Sequence, residues 1–232
     1  MKPKPWSHSA LECHANCPKQ YEAKYVLKNL PEEEKSAEQD WGLYVHNNFE
    51  WHATRPGFEM PIDLRIHLPY LEQLAREGEA AHFDLAERKV ALGINPLAPC
   101  EYFAKNVWWR GVIDRQIVNK GEGRAKIADY KTGKKKDDWS QLAQNALWTF
   151  LQYPEVSLVN AQFYWCTDQS VTKRVWGRHE MDSLVELFTP KLRDYVQSFK
   201  TNTFTPKQSG LCHGWCPVKT CQFWEPKKEK FR

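Results

Sequence analysis

Apolar residues recur every second position in some stretches of the chain and every third or fourth in others, and this change of period separates strands from helices. Trp109 to Val118 alternates and is rich in β-branched residues, Lys120-Gly121-Glu122-Gly123 is a turn cluster, and Ala125 to Lys131 alternates again, so the three make a β-hairpin. Phe83 to Leu92 reads as a further strand with Leu85, Glu87, Lys89 and Ala91 on one face. Val156 to Thr167 and Thr172 to His179 read as two more. Helical spacing runs through Pro5 to Leu30, where Ser7 is the expected N-cap and Pro18 marks a break or a second start. If that helix is continuous, Cys13 and Cys17 share a face. Trp41 to His52, Pro69 to Gly78 and Trp139 to Tyr153 follow, the last stopped by Pro154. Met181 to Lys200 carries Leu184, Leu187, Phe188, Leu192, Tyr195, Val196 and Phe199 at helical intervals, and Pro190 should kink or split it. Pro31 to Gln39 is an acidic connector or a helix start, Pro56 to Pro69 a loop, and Gly93 to Cys100 a turn. No stretch repeats and none is a low-complexity linker. The expected fold is α/β: one domain over residues 1–232, a mixed central sheet flanked by helices and extended by terminal segments.

The hairpin fixes its own register. A turn symmetric about Gly121 and Glu122 puts Asp114 opposite Asp129, with Cβ atoms roughly 4.5–5.5 Å apart. Lys131 joins Asp129 on that face and Tyr130 turns away. Two like charges in that position destabilise a hairpin unless something neutralises them, and a divalent cation with hard oxygen ligands would do so. The alternative is a solvated charged hairpin. Val112, Val118 and Ile127 share the aspartates' face, which argues that it is at least partly buried. Glu87 could point at this acidic pair or into solvent. His46 and Gly42 sit on the Trp41–His52 helix, where a histidine alone is more often structural than a ligand. Gly42 suits the first turn of that helix or a close approach by another backbone.

Length and composition bound the rest. With 232 residues the chain can form one large domain or two small ones. No apolar run approaches the roughly 20 residues of a membrane span, and MKPKPWSHSALE lacks the apolar core of a signal peptide. The expectation is a cytoplasmic protein with no membrane partner. A net charge of +4 permits a nucleic-acid partner without requiring one. Its cations cluster at Lys134-Lys135-Lys136, beside the hairpin, and at Lys227, Lys228, Lys230 and Arg232. Seven cysteines, an odd number, argue against a disulfide framework. Cys212, Cys216 and Cys221 crowd within ten residues and point to metal, while Cys100 and Cys166 read as small core residues.

The order Gly42-x-x-x-His46, Gly111-Val112-Ile113-Asp114, Asp129-Tyr130-Lys131-Thr132-Gly133-Lys134 and then Gln141 on the next helix resembles the PD-(D/E)XK nuclease superfamily. The similarity is to its RecB-like branch, which includes phage and prophage exonucleases and the CRISPR-associated nucleases with an iron–sulfur cluster. The opening Ser9-x-Leu11-x5-Cys17-Pro18-x-x-Tyr21 and the closing cysteines look like the same branch, so the likeness runs from Ser9 to Cys221. It implies a restriction-endonuclease-like fold. His46, Asp114, Asp129 and the Tyr130 carbonyl would bind the divalent ion, Lys131 would be the motif lysine, Gln141 the helix glutamine and Glu87 the upstream glutamate. The family helix usually carries Tyr four residues after that Gln, where this chain has Asn145.

The residue types fit such chemistry. A phosphodiester repels an attacking hydroxide. Mg²⁺ or Mn²⁺ on two carboxylates supplies a Lewis acid and lowers the pKa of bound water, and Mg²⁺ needs few protein ligands. Lys131 could orient the water or stabilise developing charge, and Lys134 to Lys136 could neutralise flanking phosphates. The resemblance implies a metal-dependent DNA nuclease, exonucleolytic, acting in recombination, repair or phage replication, with DNA and a helicase or a recombination or replication protein as partners. The alternative is a DNA-binding scaffold subunit that keeps the fold and does not cut. A third reading is a cysteine-rich binding module fused to an unrelated enzyme. Cys212, Cys216 and Cys221 need a fourth thiolate, and the family's Cys-Pro segment points to Cys17, with Cys13 as competitor. Segments 7–30 and 205–224 would then be joined by a four-cysteine site holding a [4Fe-4S] cluster or zinc, unless the thiols are unligated.

Overall fold

A computed structural model describes residues 1–31 and 36–227. Part of the acidic connector, and Lys228, Lys230 and Arg232 of the basic tail, lie outside the described residues. The described chain divides into two compact units, one drawn from its two ends (within 1–33 and 188–232) and one from its middle (within 34–187).

From the N-terminus the first unit has α1 (His8–Asn16) and α2 (Pro18–Tyr21), continued by a π-helical turn over Glu22–Leu27. Ser7 caps α1 by accepting from the Ala10 amide at 3.3 Å. The helix is not continuous through the cysteines. Cys17 is extended at φ −157° and ψ 104°, as a residue before proline prefers, and α2 restarts at Pro18.

The middle unit has α3 (Ala37–Thr54), a 3₁₀ segment (Ile62–His67), α4 (Leu68–Glu79), β1 (Phe83–Gly93), β2 (Ala98–Pro99), β3 (Val107–Asn119), β4 (Arg124–Lys131), α5 (Ser140–Gln152), β5 (Leu158–Trp165), β6 (Ser170–Gly177) and α6 (Met181–Glu186). The expected Pro56–Pro69 loop thus contains a helical turn, and the expected Gly93–Cys100 turn contains a two-residue strand. Pro190 splits the last helical pattern: α6 ends at Glu186, and α7 (Thr189–Thr201) starts with the proline in its first turn and belongs to the terminal unit.

The six strands lie in the order β2-β1-β3-β4-β5-β6. Only β4 and β5 run parallel, with α5 as their crossover; the other pairs are antiparallel. On one face Val45 and Phe49 of α3, Leu64, and Leu71 and Leu74 of α4 pack on Ile117, Ala128, Tyr130 and Tyr164. On the other, α5 is tied to the sheet by buried polar bonds, Gln116 to Thr149 at 2.8 Å and Trp109 to Gln144 at 3.1 Å. Among the described residues no helix is long and apolar enough to cross a membrane.

Strict alternation does not run the length of β1 and β3. Asp84 pairs with Arg115 and sits against Gly78 of α4. Arg88, also even-numbered, lies on Trp148 and Tyr153 at α5. On β3, Trp109 and Gln116 both bond α5 although their parity differs. The inversion centres on Glu87, which has φ +45° in mid-strand. The face inferred for Leu85, Glu87, Lys89 and Ala91 assumed unbroken pleating, which a left-handed residue interrupts.

In the terminal unit α1 and α7 enclose an aromatic core. His14 is buried among Tyr21, Tyr195 and Phe204, with Nε2 2.9 Å from Ser198 Oγ. Burial pulls its pKa down to about 4, so it is neutral.

Candidate active site

The β3–β4 ladder runs from Asn119 with Arg124 to Arg115 with Ala128, the register that the symmetric turn predicts, and ends there; Asp114 and Asp129 lie one step beyond its last pair. On the other side β1 pairs Ala86 with Arg115 and Arg88 with Ile113, which sets Glu87 opposite Asp114. The three carboxylates therefore lie on neighbouring strands at the step that both ladders leave unpaired. Asp114 and Asp129 are 7% and 2% exposed, which removes the solvated-hairpin alternative. Val118 and Ile127 beside them are fully buried, and Val112 lines a groove.

α3 supplies the fourth member. His46 Nε2 donates to the Tyr130 carbonyl at 3.0 Å, and Nδ1 lies 3.4 Å from Glu87 Oε1 and 3.5 Å from Asp114 Oδ2. Gly42, one turn earlier, faces Thr132, but a Cβ there would meet Thr132 Oγ1 at 3.4 Å, an ordinary contact, so no close approach requires the glycine. The Tyr130 ring turns away from Asp129 toward α3, edge-on to Phe49 at 4.9 Å and to His46 at 5.9 Å. Its amide donates to Asp114 Oδ2 at 2.7 Å, which fixes that carboxylate.

Lys131 and Gln141 complete the cluster. Lys131 Nζ donates to Gln141 Oε1 at 2.8 Å, and Gln141 Nε2 donates to Asp129 Oδ1 at 2.6 Å. Lys131 Nζ is also 2.6 Å from Asp129 Oδ2, an ion pair with a carboxylate that is almost fully buried. The ammonium rests over the Phe163 ring at 5.3 Å, a support that sequence reasoning missed because Phe163 lies on a strand far along the chain.

The electrostatics follow from crowding acids in a dry place. Burial, and then the charge of Asp129, push the Asp114 carboxyl well above the usual carboxylate range. Burial of His46 disfavours its charge, but Glu87, Asp114 and Asp129 outweigh it and raise its pKa to about 9. A protonated imidazole thus stands where a cation is wanted. Ligand atoms of His46, Glu87 and Asp114 all lie within 4.8 Å of one another, while Asp129, expected as a ligand, stands outside that trio with its Oδ2 paired to Lys131. This donor set of oxygens and one imidazole suits Mg²⁺ or Mn²⁺. Glu87 sits among the groups that could hold the ion, closer to the centre than its role as an upstream glutamate required.

The trio opens into a groove lined also by Gln39, Leu43, Lys89, Val112 and Thr132. These residues carry no motif and could not be found from sequence. Asn145 is 2% exposed inside α5, so its side chain does not face the groove's solvent. Lys134 and Lys136 are exposed just past β4, and Lys135 pairs with Asp168 at 2.6 Å.

In the terminal unit Cys17, Cys212, Cys216 and Cys221 line one pocket with Lys19, Lys207 and Trp224. All seven cysteines are free. Burial raises the Cys216 thiol, and Cys17, Cys212 and Cys221 add to the effect. Cys13 is raised by burial too, and feels Cys17 and Cys216. Among the described residues no three cysteine sulfurs all lie within 4.8 Å of one another. Cys166 is buried as expected, whereas Cys100 is half-buried.

A family model described as the PD-(D/E)XK nuclease superfamily matches residues 5–221. The solved structure of a "Putative exonuclease" from Eubacterium rectale is 12% identical, with a TM-score of 0.52 over 94% of this chain and 86% of that one. Another, of SSO0001, is 11% identical and covers 96% of this chain and 88% of that one with a TM-score of 0.41. Among curated proteins nothing matches.

Proposed function

The chain belongs to the PD-(D/E)XK nuclease superfamily, and from that premise we propose that it is a divalent-metal-dependent deoxyribonuclease of the RecB-like branch, hydrolysing phosphodiesters from a DNA end. The observation that carries the reading is the cluster of His46, Glu87 and Asp114, whose ligand atoms lie within 4.8 Å of one another, beside the Asp129–Lys131 pair at 2.6 Å. His46, Asp114, Asp129 and the Tyr130 carbonyl, with Glu87 adjoining, would hold Mg²⁺ or Mn²⁺, which when bound supplies a Lewis acid and a water of lowered pKa. The protein's own groups do the rest. Gln141 ties Lys131 to Asp129, so the ammonium is held where it can orient a water or meet charge developing on the phosphate. The Tyr130 amide holds Asp114 in one rotamer. Lys134 and Lys136 offer cations for flanking phosphates. A role in recombination, repair or phage replication inside the cell, beside a helicase or replication partner, accords with that branch. Against the non-cutting scaffold reading, whose support is Asn145, stand the intact Asp114, Asp129 and Lys131, and the Asn145 side chain is buried.

The terminal cysteines extend the proposal. Cys17, Cys212, Cys216 and Cys221 share one pocket, which supports a four-thiolate site joining the two ends of the chain. Zinc at about 2.3 Å from each sulfur would need thiolates roughly 3.8 Å apart. Three clustered cysteines and one remote cysteine suit a [4Fe-4S] cluster, and zinc is the alternative.

The test is digestion of end-labelled single- and double-stranded DNA with Mg²⁺, Mn²⁺ or EDTA. Progressive loss of label in either ion and none in EDTA is expected. Cleavage undiminished in EDTA, or none under any condition, contradicts the reading.

A further inference from the structure

The groove floor does not stop at the carboxylates. Past the inversion at Glu87, β1 and β3 continue as an arm whose groove side carries the pair Lys89 and Val112, both groove-lining. Arg110 follows two residues from Val112 on the same face. Arg110 is backed by the loop between β2 and β3: its Nε donates to the Tyr102 carbonyl at 2.7 Å, and its guanidinium lies 5.3 Å from the Tyr102 ring and 5.4 Å from the Phe103 ring. The two rings meet edge to face at 5.0 Å and 84°. Phe103 is 79% exposed. A phenyl ring so exposed gains nothing from burial in this chain, yet it is held by a cation on one side and a tyrosine on another.

We infer that Phe103, held by Arg110 and Tyr102, is a stacking platform for an unpaired base, which makes a single DNA strand the substrate drawn into the groove. The inference rests on the reading of that groove as a nuclease site. Arg110 is four residues from Asp114, or roughly 13 Å along the strand. The composition suits the ligand: an exposed π-face for a base, with Arg110, Lys89 and the exposed Lys105 for its phosphates. In a duplex both faces of an internal base are already covered by its neighbours, so a lone exposed ring has nothing to stack on there. Ring stacking tolerates any base, so the platform confers preference for strandedness without sequence specificity.

The test measures binding of fluorescent single-stranded and blunt duplex oligonucleotides to the full chain in EDTA, by anisotropy. Phe103→Ala should weaken single-strand binding roughly 5- to 150-fold, with a change of less than about twofold on the duplex, and Phe103→Trp should restore it. An abasic site walked along the strand should reproduce the loss at one position and add nothing further there in Phe103→Ala. Equal losses on both substrates, or wild-type single-strand affinity in Phe103→Ala, overturn the inference. Cleavage in Mg²⁺ or Mn²⁺ is scored separately. DNA cut normally without a Phe103 effect leaves the nuclease standing and removes the platform, whereas Phe103-dependent single-strand binding without cleavage does the reverse.

Discussion

Lys131 makes contact with both Asp129 and Gln141, so its removal separates two roles. Lys131→Ala should lower turnover by roughly two orders of magnitude while Mn²⁺ affinity, read by titration calorimetry, stays within a few-fold of wild type. A lost Mn²⁺ site would show that the ammonium holds the carboxylates in place instead. His46 makes a second test at this scale. Its folded pKa, about 9, lies above the unfolded value near 6.5. Its stabilisation is therefore fully present below about pH 6.5 and is lost as pH rises toward 9. Asp114 is raised as well, so its protonated form works in the same direction. In EDTA, wild-type Tm should fall more steeply between pH 6.5 and 9 than that of His46→Gln. Parallel curves would mean His46 carries no such charge. His14, lowered to about 4, does not confuse the comparison: its effect lies below pH 6.5, where the buried neutral ring would have to charge. The neighbouring aspartates were legible because one turn and a two-residue period determine them. His46 was only a weak candidate alone, since nothing in a helical pattern says which strand its ring meets.

At the scale of elements, the register of β3 and β4 was readable and the shape of β1 was not. Alternation assumes ordinary strand dihedrals, and Glu87 at φ +45° violates them while remaining opposite Asp114. A non-glycine residue there costs roughly 1–2 kcal/mol, retained where a carboxylate faces the groove. In an ordinary strand Gly is less stable than Ala by roughly 0.5–1 kcal/mol. At position 87 the order should invert: Glu87→Gly should unfold at the same or higher denaturant than Glu87→Ala, with both poor in cleavage. A clearly more stable Ala variant would show that the left-handed backbone is not held in solution. Gly111 shows the same limit of sequence reading. Its motif position was visible, but not its cause, which is the Trp109 indole: a Cβ would come within 2.7 Å of it. Pro18 and Pro190 marked their breaks correctly because proline acts through its own ring and the residue before it.

For the whole molecule, composition and the order of periodic segments sufficed for a mixed sheet with helices on its faces, since only α5 is long enough and rightly placed to cross between parallel strands. The exposed aromatic loop at Phe103 was invisible, because exposure is a tertiary property. The cysteines test the terminal unit. Cys216→Ser should lower Tm by several degrees and bleach a brown, anaerobically purified protein, while Asp129→Asn keeps its colour. A colourless protein with stoichiometric zinc would replace the cluster by zinc. No bound metal and no change in Tm would leave the cysteines as ordinary packing residues. The central claim is that hydrolysis runs through the carboxylate cluster, and the most direct measurement is the rate of DNA cleavage by Asp129→Asn against wild type at saturating Mn²⁺. Several kcal/mol of lost transition-state stabilisation predicts a fall of roughly three orders of magnitude or more in a protein that still folds. Cleavage within tenfold of wild type would contradict the account.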